Sequence, residues 1–239
     1  MKTGSCIKKG LSGSWIVFCI TLIVLFGFII SPGWCGNGNV SGDASWKRQY
    51  VRLGLSEHLS YKIFSKAMSG FQKWDFTKKN VLTIIDFTQP SNEKRCYVLD
   101  LDNERLLYCT YVAHGRNSGL TYASEFSNIP NSYQSSLGFF RTAETYRGKH
   151  GYSLRLDGLE SKINDLARER AIVIHAADYA EKRFLQAHGR LGRSLGCPAL
   201  PPAVNSDIID RIKSGSCLFV YADDREYLTS SSVFSSPNS

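Results

Sequence analysis

The feature that most constrains the fold is a short apolar segment that ends in a histidine and precedes a glycine-rich loop with one cysteine. Residues 171–174 are four consecutive apolar residues, and His175 follows them directly. Four residues are too few for a helix and are typical of a buried strand. His175 therefore belongs at the end of a strand, where a polar side chain can meet a substrate.

The glycine-rich loop, residues 192–200, places Cys197 between Gly196 and Pro198. Glycine and proline favour a turn whose backbone approaches a ligand closely. A free thiol ionises only at about pH 8.5, so a nucleophilic cysteine needs a base. Folding can bring together a cysteine and a histidine that are separated in sequence. Taken alone, the two residues also fit an inert buried cysteine and a histidine that hydrogen-bonds the backbone.

His175 and the loop, which reads Gly-Arg-Ser-Leu-Gly-Cys-Pro-Ala-Leu, resemble the YkuD-type L,D-transpeptidases. In these cell-wall enzymes a histidine precedes a Ser/Thr-x-Gly-Cys loop. The chain is most similar to the murein L,D-transpeptidase catalytic-domain branch, from about residue 56 to residue 221. The resemblance implies a YkuD-like fold that is mainly β with peripheral helices (α+β), with the active site at strand ends beneath the loop. The residues alone indicate only a mixed, β-rich fold.

The resemblance also implies an activity, that of a peptidoglycan L,D-transpeptidase that needs no cofactor. His175 would take the thiol proton, and Cys197 would form a thioester with the stem peptide. Backbone N–H groups near Gly196 would hold the oxyanion, in a loop that also contains Ser194 and Arg193. Substrate binding is assigned to four residues: Asn128, Ser135, Ser136 and Gly138. The alternative for these four is ordinary loop chemistry, because serine, asparagine and glycine satisfy turns.

The chain departs from the wider family at three positions near the expected site. Leu195 stands where a second histidine is common, and Ala199 stands where an arginine or asparagine often follows the cysteine. Ala176 follows the histidine where glycine is usual. Nucleophile and base stay in place, so the departures bear on substrate contacts and acceptor preference.

Several alternatives stay open. His114 also follows a predicted strand and rivals His175 as the base. Asp178 is a candidate to orient His175, although the resemblance implies a backbone carbonyl in that role. Two other functions compete with transpeptidation. One is an L,D-carboxypeptidase or another exported cysteine amidohydrolase, and the other is a non-catalytic cell-wall-binding module in which Cys197 is structural.

Residues 1–36 have the layout of a signal peptide or N-terminal membrane anchor. Lys8 and Lys9 precede an almost wholly apolar stretch over 15–30, which residues 31–36 interrupt. The stretch is about as long as a minimal membrane span of roughly 17 residues. We therefore expect export to the periplasm or cell envelope, with an inner-membrane anchor if the segment is retained. Cleavage and retention are both open.

The remaining chain divides into three predicted segments. A Gly/Asn/Ser-rich stretch predicts a flexible linker over 37–55, followed by a catalytic domain over 56–228 and a disordered Ser-rich tail over 229–239. Helices are predicted over 56–74 with Ser56 as N-cap, over 160–170, and after a cap at Asn205. His188 is expected in a loop, and residues 135–140 in a polar, small-residue region.

Strands are predicted over the β-rich segments 81–87, 96–101, 106–112, 149–156 and 218–221. Residues 102–105 read as a hairpin turn. A two-residue turn at Asp102 and Asn103 would place Cys96 opposite Cys109. The sequence leaves open whether these two cysteines form a disulfide in an oxidising compartment or fill one face of the hairpin as small residues.

The charge distribution indicates which classes of molecule the protein is expected to bind. The formal net charge is +8, but no basic run with interleaved aromatic residues is present, which argues against nucleic-acid binding. A modest positive field suits an anionic wall polymer or membrane headgroups. Without Cys-x-x-Cys or His-x-x-x-His spacing, we expect no metal site. The expected partner is the stem peptide of peptidoglycan.

Overall fold

A computed structural model describes residues 42–235. The predicted signal peptide or anchor, the first residues of the predicted linker and the last four residues of the predicted tail lie outside the described residues. No helix within the described range is long and apolar enough to cross a membrane.

An eight-stranded mixed sheet forms the centre of the described residues. The strands are β1 (Val81–Asp86), β2 (Cys96–Asp100), β3 (Arg105–Thr110), β4 (Gly138–Gly148), β5 (Gly151–Gly158), β6 (Val173–Ala176), β7 (Ala199–Leu200) and β8 (Cys217–Tyr221). Their order across the sheet is β3-β2-β1-β8-β4-β5-β6-β7. The pairs β1–β8 and β6–β7 are parallel, and the other neighbours are antiparallel.

Helices cover this sheet. They are α1 (Gly42–Arg52), α2 (Tyr61–Lys73), α3 (Lys182–His188), α4 (Pro202–Ile212) and α5 (Arg225–Ser230). Short 3₁₀ turns occur at Leu55–Glu57, Arg116–Ser118 and Asp178–Ala180. Helix α2 contacts β1 and β8, and α4 contacts β1, β5 and β6. The prediction of a mainly β fold with peripheral helices is confirmed.

The apolar stripe of α2 explains how this helix packs. Ile63 and Phe64 are buried. Gly70 lies so close to the ring of Phe139 in β4 that a Cβ there would be 2.1 Å from a ring carbon. On its other side Phe139 stacks on Phe219 of β8, with ring centroids 4.1 Å apart. Gly70 therefore permits a close approach of helix and sheet.

The predicted helix over 56–74 begins later than expected. Its N-cap is Ser60, whose Oγ accepts a hydrogen bond from the N–H of Ile63 at 3.4 Å. Ser56 instead lies in the 3₁₀ turn Leu55–Glu57. Gly54 precedes that turn with φ of 66°, a left-handed conformation that breaks the helical path.

The prediction of a flexible linker over 37–55 is wrong for the part that the structure describes, because that part is largely α1. Tyr50 is buried there, and its hydroxyl donates a hydrogen bond to the Leu59 carbonyl at 2.6 Å. Its ring also packs edge-on against Tyr61 of α2, with centroids 5.3 Å apart. Burial of aromatic rings on α2 outweighs the turn-forming composition of the segment.

The predicted disorder of the tail 229–239 is wrong for residues 229–235. Helix α5 extends to Ser230, and Ser231 is fully buried. The hydroxyl of Ser231 donates to the carboxylate of Glu160, which is itself buried. Phe234 packs on Phe139 at a centroid distance of 6.2 Å. The Ser-rich composition of the tail predicts disorder, because it does not indicate that Ser231 and Phe234 pack against the domain.

The predicted helix over 160–170 is absent, and successive turns replace it. Lys162 adopts a left-handed φ of 65°, which interrupts a helix. The side chain of Asn164 accepts from the N–H of Glu160 at 2.9 Å and donates to the carbonyl of Phe139 at 3.0 Å. Contacts with β4 therefore determine the path of this segment.

Three further boundaries differ from the predictions. Strand β4 occupies much of what was expected to be a polar loop region, with Phe139 and Phe140 buried in the sheet. His188 is the last residue of α3 rather than a loop residue. Helix α4 begins at Pro202, so Asn205 lies inside it, and its side-chain amide donates to the Tyr152 carbonyl at 2.9 Å.

The hairpin of β2 and β3 has a register one residue away from the predicted one. Cys96 pairs with Thr110, and Tyr97 pairs with Cys109. The cause is an irregularity at Val98, where the register shifts. Neighbouring strand residues point to opposite faces, so the two cysteines do not face each other, and both are free.

Candidate active site

The sheet brings the histidine and the cysteine loop together. His175 lies in β6, and it pairs in parallel with Ala199 of β7, two residues beyond Cys197. The loop is also fixed from its other side, because the Ser194 N–H donates to the His114 carbonyl at 2.9 Å and Ala113 forms a bridge with Ala199. Cys197 therefore approaches the end of the strand that carries His175.

The environment of His175 determines its tautomer and its charge. Its side chain is buried, with 3% exposed, and Nδ1 lies 2.9 Å from the carbonyl oxygen of Ala176. A carbonyl oxygen only accepts hydrogen bonds, so Nδ1 carries the proton and Nε2 carries the lone pair. Burial lowers the pKa of His175, and the charge of His150 lowers it further. The imidazole is therefore neutral at neutral pH and able to accept a proton.

Cys197 is partly buried, and its thiol is protonated at neutral pH. Sγ donates a hydrogen bond to the carbonyl oxygen of Ala171 at 3.6 Å. Burial raises the pKa of the thiol, and hydrogen bonding from the backbone of Val173 opposes that effect. Among residues 42–235, no hydrogen bond joins Sγ to the ring of His175. Ionisation of the thiol therefore requires a base that approaches it.

The backbone of the cysteine loop is held by Ser194. The Ser194 hydroxyl donates to the Cys197 carbonyl at 2.6 Å and accepts from the Gly196 N–H at 3.1 Å. Gly196 has φ of 123°, and a Cβ there would lie 2.9 Å from the carbonyl oxygen of Gln134. Both the conformation and the space require glycine. The Gly196 N–H is thus engaged within the loop.

Arg193 and Leu195 point away from this hydrogen-bonded centre. The guanidinium of Arg193 donates to the carbonyl oxygens of Arg116 at 2.8 Å and Gly119 at 3.1 Å. Leu195 is 59% exposed. Arg193 therefore connects the cysteine loop to the 3₁₀ turn Arg116–Ser118. Leu195 presents an apolar side chain to solvent beside the site.

Three of the four predicted substrate-binding residues are buried, and one of them, Ser135, contacts the loop. Ser135 accepts from the Gly115 N–H at 3.0 Å and donates to the Gly196 carbonyl at 3.2 Å. Ser136 is 4% exposed, and its hydroxyl donates to the Ser127 carbonyl at 2.9 Å. Gly138 leaves room for Glu160, whose Oε1 would lie 2.4 Å from a Cβ there.

Asn128 lies in an open groove of about 490 Å³. Its amide donates to Asp165 at 2.6 Å, and its carbonyl oxygen accepts from the Leu166 N–H at 3.2 Å. The groove also contains Ile129, which is exposed, and the acidic residue Glu226. Asn128 is therefore next to the buried serines in the fold, because the N–H of its neighbour Ser127 donates to the Ser135 carbonyl at 3.0 Å, but its own side chain binds Asp165 and Leu166.

The two alternatives for the base and its orienting group occupy other roles. His114 is fully buried, and its Nδ1 lies 2.7 Å from the guanidinium of Arg95. Burial and the charge of Arg95 lower the pKa of His114 to about 3. Asp178 is exposed and pairs with Arg183 at 3.5 Å. The group bound to Nδ1 of His175 is the Ala176 carbonyl.

Three residues near the site could not be predicted from the sequence. The ring of His150, in the turn between β4 and β5, stacks on His175 with centroids 4.4 Å apart. The charge of Arg170 acts on the Cys197 thiol. Tyr179 lies close enough that a charge on Cys197 raises its pKa, which burial has already raised. No motif in the sequence marks these residues, because tertiary contacts bring them to the site.

No cluster of three or more metal-binding side chains occurs in the described part of the chain. The arrangement supplies a thiol, a neutral imidazole with a free Nε2 and a constrained glycine turn. Such a set suits covalent acyl transfer by a cysteine.

Comparison with known protein families places the chain in one of them. The sequence matches the L,D-transpeptidase catalytic domain model over residues 55–221. The match covers more than half of the chain, so the chain belongs to the L,D-transpeptidase catalytic-domain family. No curated protein sequence matched the chain.

Several solved structures are similar at low sequence identity. An L,D-transpeptidase from Mycobacterium smegmatis is 13% identical, with a TM-score of 0.38, over 60% of this chain and 59% of that one. An L,D-transpeptidase (Yku) from Stackebrandtia nassauensis is 16% identical, with a TM-score of 0.37, over 76% and 78%. The helical cell shape determining protein Pgp2 from Campylobacter jejuni is 12% identical, with a TM-score of 0.39, over 61% and 48%. This chain thus spans less than two thirds of the mycobacterial structure.

Proposed function

We propose that the protein is an exported L,D-transpeptidase that cross-links or modifies the stem peptides of peptidoglycan through a thioester on Cys197. Membership of the L,D-transpeptidase catalytic-domain family supports the reaction class. The observation that carries the assignment of residues is the state of His175. This buried, neutral imidazole has Nδ1 bound to a backbone carbonyl and lies on the strand that pairs with the end of the cysteine loop.

The first half of the reaction forms the acyl-enzyme. Nε2 of His175 takes the proton from Sγ of Cys197, and the thiolate attacks the carbonyl carbon between the third and fourth residues of the donor stem. The C–S bond forms, the amide C–N bond breaks, and the terminal D-residue leaves with the proton returned by His175. We assign stabilisation of the oxyanion to the N–H of Cys197, because Ser194 already binds the N–H of Gly196.

The second half of the reaction resolves the thioester. An amine of a second stem attacks the acyl carbon, gives its proton to His175 and displaces the Cys197 thiolate. Water in place of the amine would give a carboxypeptidase. Residues 1–36 would deliver the domain to the periplasm or cell envelope, where both stems are available.

Mass analysis of disaccharide-tetrapeptide after incubation with the purified protein tests this proposal. We expect dimers joined from the third residue of one stem to the third residue of the other, and their loss in Cys197→Ala and His175→Ala. Cys109→Ala is the matched control, since Cys109 is another partly buried free cysteine and lies in β3 rather than in the cysteine loop.

Each other outcome points to a different function. Tripeptide without dimers would replace the transpeptidase with a carboxypeptidase. Absence of both products, with Cys197 unreactive towards iodoacetamide, would favour a non-catalytic wall-binding module and contradict the proposal.

A further inference from the structure

Arg170 is a partly buried arginine that lies shortly before β6, and its hydrogen bonds all go to uncharged oxygens. Nη1 donates to the Ser127 carbonyl at 2.5 Å and to the hydroxyl of Ser136. Nη2 donates to the Ser132 hydroxyl at 3.2 Å and to the Gln134 carbonyl at 2.7 Å. These contacts hold the guanidinium in place but leave its charge unbalanced.

No carboxylate lies within ion-pair distance of Arg170 in the part of the chain that the structure describes. Arg168, two positions earlier, shows the usual arrangement, in which carboxylates balance the charge of an arginine. It binds Glu144 at 2.8 Å and Asp157 at 2.5 Å. A charge that is removed from water without a counterion is costly. A fixed, partly buried cation without a partner is therefore suited to a place where a negative charge appears during a reaction.

The cysteine loop lies against this cation. A Cβ on Gly196 would be 3.5 Å from Nη2 of Arg170 and 2.9 Å from the Gln134 carbonyl that Arg170 binds. Arg170, Gln134 and Gly196 thus form one contact series directly below the turn that carries Cys197. Burial raises the pKa of the Cys197 thiol, and the charge of Arg170 opposes that rise.

Two other titratable side chains near Cys197, those of Tyr179 and His175, are uncharged at neutral pH. Burial, followed by the charge of Cys197, raises the pKa of Tyr179 to about 12. Burial lowers the pKa of His175, so the imidazole is neutral before it accepts a proton. Among the residues that the structure describes, Arg170 is the side chain whose positive charge lowers the pKa of the thiol, against the rise that burial causes.

We propose that Arg170 is a positioning residue of the Cys197 site, which holds the cysteine loop and stabilises the thiolate by its uncompensated positive charge. The proton that leaves Sγ goes to Nε2 of His175, and the guanidinium below the loop attracts the negative charge left on sulfur. This inference rests on the proposed role of Cys197 as nucleophile. Arg170 would therefore have two effects. It would hold residues 127–136 in place, and its charge would favour the thiolate form of Cys197.

The test is the pH dependence of iodoacetamide alkylation at Cys197 in the full-length protein, purified in detergent. Trypsin releases residues 194–211 as one peptide, and Cys197 is the single cysteine in it, so mass spectrometry follows this site separately from the other cysteines. Arg170→Gln removes the charge, while Arg170→Lys keeps the charge and loses the forked geometry. Arg168→Gln is the control for loss of a neighbouring arginine.

We expect Arg170→Gln to alkylate about tenfold more slowly at neutral pH, as a charge within several ångströms at intermediate dielectric implies, and its half-maximal pH to rise. Arg170→Lys should stay close to wild type in this titration, although both variants should melt at lower temperature because both lose hydrogen bonds to residues 127–136. Arg168→Gln should leave the titration unchanged.

The idea is overturned if Arg170→Gln and Arg170→Lys melt earlier but titrate like the wild type, since Arg170 would then be structural only. An equal rise of the half-maximal pH in both variants would also overturn it, because charge would not be the cause. The alkylation titration tests the role of Arg170 independently of the proposed function. A shifted titration in a protein that makes no cross-linked product would support Arg170 and contradict the transpeptidase.

Discussion

The hydroxyl of Ser194 is a small group with a large predicted effect on the cysteine loop. It donates to the Cys197 carbonyl at 2.6 Å and accepts from the Gly196 N–H at 3.1 Å, and the side chain is only 4% exposed. Ser194→Ala would leave a backbone donor and a backbone acceptor without partners. One unsatisfied buried group costs about 1–3 kcal/mol, so we expect the free energy of unfolding to fall by about 2 kcal/mol.

Urea unfolding and thermal melting measure this loss. For a domain of 150–250 residues, 1 kcal/mol corresponds to about 2–4 °C in melting temperature, so Ser194→Ala should melt about 4–8 °C below the wild type. Ser65→Ala is the matched control. Its hydroxyl is exposed and donates to the Lys62 carbonyl at 3.1 Å, so water can replace the bond and the change should stay within about 0.5 kcal/mol.

The same substitution should also affect Cys197. Without the Ser194 hydroxyl, the turn loses the bonds that fix its backbone, and we expect slower formation of a thioester with tetrapeptide substrate. If Ser194→Ala is as stable as Ser65→Ala and forms the thioester at the wild-type rate, the hydrogen bonds of Ser194 do not hold the loop and the reasoning is wrong.

Two further substitutions test other parts of the structure. Gly70→Ala should lower the free energy of unfolding by about 1–2 kcal/mol in urea titrations, since overpacking against the Phe139 ring exceeds the helix preference of alanine; a more stable variant would refute the close contact. His150→Phe keeps a stacked ring but removes a positive charge that lowers the pKa of His175, so that pKa should rise. The acid limb of the pH profile of thioester formation should then move to higher pH, and an unchanged acid limb would contradict the coupling of the two rings.

The sequence predicted the elements whose pattern is local. Strand β8 is a continuous apolar run, and β1 is apolar apart from Thr83 and Asp86. The order of a histidine before a Gly-Cys-Pro turn is visible without a structure. Ser60 and Gly54 show the limit of such reasoning. Several serines precede the apolar stripe of α2, and only the conformation of the chain decides which of them caps the helix.

The parts of the site that could not be predicted depend on contacts between distant segments. Arg170 resembles any surface arginine in the sequence, and its neighbours come from residues 127–136. Ala171 adopts a left-handed φ of 53°, which alanine seldom does, and its carbonyl receives the Cys197 thiol. The surrounding fold imposes such a conformation, so it leaves no composition signal.

The position of β8 has a consequence for how the domain is made. The last strand of the sheet to be synthesised lies in the middle of it, where Leu82 pairs with Cys217 and Phe139 pairs with Phe219. Contacts between such distant parts of a chain form slowly. Until residue 221 is available, β1 and β4 have no partner between them, and the sheet stays in two halves. A chain that emerges from a ribosome or a translocation channel therefore remains incompletely folded until residue 221 is free.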